Sequence, residues 1–352
     1  AGEGGNRFGV GSQVVVHANG QQQHQTLIPA RGFQSSVEPV LLFGLNAASQ
    51  ADSVAIYWPD GRYQSLTSIP ANQTLVLEQR QAEQQRRLLA STINPKKNRL
   101  LKEVPGNAGI DFTHRENPYT DFNREPLMLR MLSREGPRLA TADVNADGLE
   151  DFYVCGAAGQ PGALYLQQAS GQFRPASQRV FAKDAAFEDA DAVFLFFNDD
   201  ELPDLLVGSG GGEHRPGHEL LADRLYVNQG NGRFEAVAEP VLNGLRQNTG
   251  CLAKADFDAD GDDDLFLGSR SVPGSYGLVP ESFVLENTGN GFQKLPLPEV
   301  LAKAGMLTNA RFADMDGTGQ PELLLAGDWM PLKIFRWMDG RWQPLLASSG
   351  TA

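Results

Sequence analysis

Residues 256–264 read Asp256-Phe257-Asp258-Ala259-Asp260-Gly261-Asp262-Asp263-Asp264. Six of these nine side chains are carboxylates; packed so closely they repel one another, and the run folds most readily around a cation. The spacing is ordered. Asp256, Asp258 and Asp260 alternate, Gly261 permits a sharp turn, and Asp264 closes the loop. Hard oxygen donors arranged in this way suit Ca²⁺, which accepts roughly six to eight oxygens in flexible geometry.

Working outward, the pattern recurs. Asp143, Asn145, Asp147, Gly148 and Asp151 reproduce it almost completely, and Asp314, Asp316, Thr318, Gly319 and Glu322 keep the spacing with a hydroxyl at the fifth position and the longer Glu at the ninth. Asn198, Asp200 and Asp204 hold the register, but Phe196 stands at the first position and Glu201 at the glycine, so this copy is degenerate and expected to be poor in metal. An EF-hand also opens on alternating Asp with Gly at position six, but it requires a bidentate Glu at position twelve and flanking helices. Here the twelfth residues are Val154, Leu267 and Leu325, and the short apolar runs after each loop, bounded by Gly, indicate buried strands.

A second landmark follows each loop: an apolar strand, a Gly turn and an aromatic residue. It is carried by Leu164–Leu166 with Gly171 and Phe173, Leu225–Val227 with Gly232 and Phe234, Phe283–Leu285 with Gly291 and Phe292, and Ile334–Phe335 with Gly340 and Trp342. Two strands at the loop and two at this turn make four per unit. First loop positions at 143, 196, 256 and 314 lie 53, 60 and 58 residues apart, a period that with four strands per unit predicts β-propeller blades.

These repeats resemble FG-GAP/VCBS blades, the class of the integrin α-subunit propeller, where calcium loops lie between strands of a blade. The resemblance implies Ca²⁺ ligands at Asp143, Asn145, Asp147, Leu149 (carbonyl) and Asp151; at Asp256, Asp258, Asp260, Asp262 (carbonyl) and Asp264; and at Asp314, Asp316, Thr318, Gln320 (carbonyl) and Glu322. Thr318 and Glu322 depart from the pattern.

Residues 1–80 lack Asp-rich loops and read as a small β-domain with strands expected at Gln13–His17, His24–Ile28, Pro39–Phe43, Ser53–Trp58 and Leu75–Leu77. The stretches Asn6-Arg-Phe-Gly-Val-Gly, Arg31-Gly-Phe-Gln-Ser-Ser, Phe43-Gly-Leu and Asp52 to Arg62, ending in Trp58-Pro59-Asp60-Gly61-Arg62, resemble the ASPIC/UnbV domain, which accompanies such propellers in the cartilage-acidic-protein-like family. Residues 81–102 are rich in Gln, Arg and Lys, and Ala82–Ala90 lacks Gly and Pro, so a short linker helix is expected before Pro95. Residues 103–352 are left for the blades, enough for about four, and relatives of this class close with more; the chain is therefore expected to be a fragment of a larger propeller.

With 30 basic and 43 acidic residues the net charge is −13, which disfavours polyanions such as nucleic acid. No apolar run is long enough to span a membrane. Cys155 and Cys251 sit in apolar strand contexts and are expected as buried thiols. Catalytic signatures are missing: there is no Gly-x-Ser-x-Gly elbow, no phosphate loop and no Cys/His pair. His214 and His218 have ligand spacing, but Gly210–Gly212, Pro216 and Gly217 make their segment a loop. Partner contact is expected from the Arg130–Arg138 region, from Gly208–Gly217 and Ser269–Pro280 through His214, Arg215, Arg270 and Tyr276, and from His114 to Asn117 with Tyr119. The sequence thus predicts an all-β protein, a small N-terminal β-domain followed by a calcium-loop β-propeller. Its expected role is a non-catalytic scaffold for a protein or glycan at the cell surface, secreted or associated with an outer membrane; the alternative is a carbohydrate-active lyase or hydrolase using the propeller face.

Overall fold

The computed structural model describes residues 2–345 apart from 33, 83, 86–105, 107, 177–178, 199 and 290. The chain divides into two units, Ala1–Lys102 and Glu103–Ala352.

In the first unit an antiparallel sheet runs in the order Gln21–Thr26, Gln13–Ala18, Gln50–Tyr57, Arg62–Pro70, Gln84–Gln85. Val14, Val16, Val54, Ile56 and Trp58 are buried on it. The strand expected at Pro39–Phe43 does not form. Its Leu41 and Phe43 pack on the core, while the carbonyls of Leu42 and Gly44 accept from the Gln25 and Gln23 side chains (both 2.6 Å) in place of a ladder. Leu75–Leu77 is likewise irregular. Sequence reading missed Arg62–Pro70, whose few apolar residues hide the two-residue period. The tight turn before it has Gly61 at φ +88°, with Gly61 N donating to Trp58 O and Arg62 N to Asp60 Oδ1. Where the helix is expected, Gln84 and Gln85 are instead extended and pair to Tyr63 and Arg62; most of the expected helix lies outside the described residues.

Among the described residues the second unit contains four antiparallel four-stranded meanders. The first comprises Leu139–Ala142, Asp151–Val154, Ala163–Gln167 and Phe173–Ala176; the second Asp189–Leu195, Asp204–Ser209, Arg224–Asn228 and Phe234–Val237. The third comprises Asn248–Ala255, Asp264–Ser271, Phe283–Asn287 and Phe292–Lys294; the fourth Met306–Ala313, Glu322–Asp328, Lys333–Met338 and Arg341–Pro344. These are propeller blades, as the period predicts. First strands of successive blades lie side by side, and apolar layers fill the spaces between neighbouring blades.

Burial on both faces explains the continuous apolar second strands: Leu205, Leu206, Val207, Leu265, Phe266 and Leu267 are all 0% exposed. Short helices that sequence reading missed join the blades at Arg179–Lys183, Pro240–Gly244 and Glu299–Ala302, each setting one residue, Phe181, Leu242 or Leu301, into the layer beside it. Cys155 and Cys251 are free and buried, as expected. Leu267 sits in the layer between the second and third blades. Leu267→Ala should lower unfolding stability by about 2–5 kcal/mol through the cavity it leaves, measurable by urea denaturation.

Candidate functional site

Each Asp-rich loop joins the first and second strands of a blade, and its carboxylates are first of all turn makers. Asp143 accepts from Asp147 N (3.1 Å) and Gly148 N (2.7 Å), Asp256 from Asp260 N (3.2 Å) and Gly261 N (3.1 Å), and Asp314 from Thr318 N (3.1 Å) and Gly319 N (2.9 Å). The third-position side chains of Asn145, Asp258 and Asp316 accept from the amide of the fifth residue (3.0, 3.3 and 3.2 Å). Fifth-position Asp147 and Asp260 accept from Leu149 N and Asp262 N (2.9 and 3.2 Å), which fixes the seventh residues. In the fourth loop Gln320 holds that seventh position. Position six is left-handed in all four loops: Gly148, Gly261 and Gly319 take φ of +83°, +105° and +87°, and Glu201 takes +57° despite its side chain.

The ninth residue has a different task. Asp151, Asp204, Asp264 and Glu322 are all 0% exposed. One oxygen of each accepts from the amide of the second loop residue, Val144, Phe197, Phe257 or Met315. The other oxygen of the three Asp residues accepts from the third strand, at Gln167, Asn228 and Asn287 (2.7, 2.7 and 3.0 Å). This buried staple is present even in the degenerate second loop, so Asp at position nine reports the fold as well as any ion. Burial pushes Asp204 up to about 6 and Asp264 up to about 7, and raises Asp151.

In the third loop the carboxylate oxygens of Asp256, Asp258 and Asp260 come within 4.8 Å of one another. Lys254 approaches this acidic run through Asp263 (2.8 Å), which lies outside the trio. Burial, then the charge of Asp260, raises Asp258; burial, then Asp260 and the other loop carboxylates, pushes Asp262 up to about 6. Asp262 Oδ1 is buried with no hydrogen-bond partner. Converging oxygens and uncompensated repulsion among Asp256, Asp258 and Asp260 are the features a hard divalent cation satisfies, and this donor set fits Ca²⁺. The first loop brings Asp143, Asn145 and Asp147 together in the same turn, with the Asn145 amide donating to Asp147 Oδ2 (3.1 Å). Asp314, Asp316 and Glu322 also converge within 4.8 Å, but the Arg336 guanidinium bonds both Asp316 and Glu322. Asp316 is held below the usual carboxylate range by the Thr318 hydroxyl and by Arg336, the reverse of Asp258 at the same position of the third loop.

The opposite ends of the second strands carry the loops from which partner contact is expected. Most are occupied by the protein itself. Residues 119–138 run along them: Arg124 Nη1 donates to His214 O (2.7 Å), Glu125 accepts from Tyr276 N (2.6 Å), Arg130 pairs with Asp328 (3.0 Å) and Arg138 donates to Thr308 O (3.1 Å). Arg270 is only 3% exposed, clamped by Glu135 (2.6 Å) and Asp328 (2.7 Å), and the Tyr276 hydroxyl donates to Asp328 (3.0 Å). Neither is free for a partner, which corrects that expectation. His214 and His218 stack on each other at 4.4 Å within their loop, and Arg215 is exposed. Tyr119 donates to Gly212 O and Asn117 to Glu213, so this second candidate surface also packs on a neighbouring loop. Sequence reading missed Trp329, 68% exposed at φ +57° and edge-on to Tyr276 at 5.3 Å.

Glu188, Glu213 and Glu116 gather on this side, and burial, then its neighbours, pushes Glu188 up to about 9. The cavity beside Glu188, also lined by Glu135, Arg138, Asn248 and Arg270, has about 20 Å³ for water-sized molecules, room for about one water and too little for a sugar ring. Because the folded pKa of Glu188 lies above the unfolded value, its neutral form stabilises the fold at low pH, and that contribution is lost as pH rises towards 9. Glu188→Gln should therefore flatten the decline in urea midpoint between pH 5 and pH 9.

Comparison with known proteins bears on the two units rather than on the loops' chemistry. Residues 2–84 match the family described as ASPIC and UnbV, and residues 197–267 match the FG-GAP-like repeat. Cartilage acidic protein 1 of Homo sapiens is 24% identical over 251 residues, covering 67% of this chain and 36% of that protein, so the chain spans about a third of the relative's length. Among solved structures, a triple arginine-to-alanine mutant of AofleA from Arthrobotrys oligospora aligns with 61% of this chain and 57% of its own at 13% identity and a TM-score of 0.38. The chain carries an ASPIC and UnbV domain followed by FG-GAP-like repeats, the pairing also found in cartilage acidic protein 1.

Proposed function

We propose that the protein is a calcium-stabilised β-propeller scaffold that binds a protein or glycan outside the cell, without catalysis. The observation that carries the calcium reading is the third loop, where carboxylate oxygens of Asp256, Asp258 and Asp260 converge within 4.8 Å while Lys254 pairs with Asp263 outside that trio. Bound calcium would supply charge neutralisation there. The chain's own residues do the rest: backbone amides aim Asp256, Asp258 and Asp260 inward, and Asp264 ties the loop to the third strand. The first loop is the second site. Exposed turns of this kind hold calcium at modest affinity and are filled where calcium is about millimolar, which supports an extracellular or cell-surface location. Among the described residues no helix is long and apolar enough to cross a membrane.

Partner binding is best supported on the face opposite the loops. Trp329, next in the chain to Asp328 of the Arg130–Asp328 ion pair, is 68% exposed, and Leu278 and Leu332 are 60% and 59% exposed. An aromatic ring edged by charges suits a sugar face or an apolar peptide side chain. The cavity beside Glu188 has room for about one water, which weighs against sugar-ring chemistry at that carboxyl.

Thermal unfolding should show a higher melting temperature in millimolar calcium than in EDTA, reversible on adding calcium back, by mass action on the native state. Asp258→Asn should remove much of that increment; equal curves in EDTA and calcium would refute the calcium reading. On a glycan array and in capture of candidate extracellular proteins, Trp329→Ala should weaken binding of the wild-type ligand by about tenfold or more at unchanged melting temperature. Undiminished binding would place the contact surface elsewhere.

A further inference from the structure

We infer that the fourth Asp loop carries its own cation, the guanidinium of Arg336, and is closed without metal. The inference rests on the calcium reading of the first and third loops, from which the fourth departs. Arg336 Nε donates to Glu322 Oε1 at 2.7 Å, and its Nη2 bonds both Glu322 and Asp316. Two of the three carboxylates that converge there are thus already engaged by one planar, permanently charged group. Asp314, the third, has both oxygens accepting loop amides, from Gly317 N, Thr318 N and Gly319 N.

Strand register shows that this arrangement is peculiar to the fourth blade. One step along the ladder from Phe152–Tyr165, Leu205–Tyr226 and Leu265–Leu285, the ninth loop residue faces Leu166, Val227 and Glu286. One step from Leu323–Phe335 it faces Arg336. Only here does a cationic residue stand across from the loop, and only here is the ninth residue Glu. The two departures complete each other. In the other blades the second oxygen of the ninth residue accepts from a third-strand backbone amide, whereas the longer Glu322 presents that oxygen to the Arg336 side chain. Thr318 at the fifth position removes a further negative charge, and its amide still makes the turn by donating to Asp316 (3.2 Å). In the third loop the cationic side chain on hand, Lys254, reaches Asp263 and leaves the converging trio without a counter-charge.

The test uses the full chain, first in EDTA, where no loop holds calcium, and then by counting bound calcium in equilibrium dialysis at millimolar free calcium. In EDTA, Arg336→Met should lower the melting temperature by about 4 °C, Arg336→Lys should lower it by less, and Asp258→Asn should not lower it. In calcium, Asp316→Asn should leave the number of bound ions unchanged, whereas Asp260→Asn should reduce it by one. An Arg336→Met protein as stable as wild type in EDTA, or an ion lost with Asp316→Asn, overturns the inference. If Asp260→Asn leaves the count unchanged while Arg336→Met destabilises as stated, the calcium reading of the third loop fails and the arginine latch is supported on its own.

Discussion

Carboxylates held at close range by backbone amides are the constraint from which the rest of the blade architecture follows. Each loop spends its Asp side chains on making a turn too tight for ordinary residues, and the turn leaves those charges facing one another. Amide donors and a buried ninth residue anchor the geometry, but they do not neutralise the charge. The blades deal with that charge differently. The second loop discards the first Asp in favour of Phe196. The fourth recruits Arg336. The first and third, with no cation from the chain among their converging oxygens, are the ones a divalent ion suits.

The staple formed by Asp151, Asp204, Asp264 and Glu322 connects this electrostatics to packing. A fully buried carboxylate is tolerable because both oxygens are hydrogen-bonded, and by joining the loop to the third strand it fixes the register in which the apolar second strand meets its neighbours. That strand is buried on both faces between blades, so an error of one residue would bring a charge into an apolar layer. Turn chemistry and core packing therefore specify the same alignment.

Much of this was legible in the sequence because its signals are local. The alternating Asp residues, the glycine at position six and the aromatic after the second turn recur at fixed spacing, and all four blades stand where that spacing puts them. What the sequence hid depends on distant partners. Arg336 lies fourteen residues from Glu322, and only the ladder shows that they face each other. Arg270 and Tyr276 looked available for a ligand because nothing local announces that Glu135 and Asp328 will claim them. Leu41 and Phe43 suggested a strand by composition, yet glutamine side chains took the place of a ladder. The Gln-rich segment after Ala82 suggested a helix by propensity, and pairing with Tyr63 and Arg62 overrode it at Gln84 and Gln85.

The most direct measurement is a crystal structure of the full chain grown in millimolar calcium, with anomalous data to identify ions. The account predicts an anomalous peak at the first and third loops, with oxygens of Asp143 to Asp147 and of Asp256 to Asp262 about 2.3–2.6 Å away, and the Arg336 guanidinium at the fourth. Water-like density without an anomalous signal at both the first and third loops would contradict it.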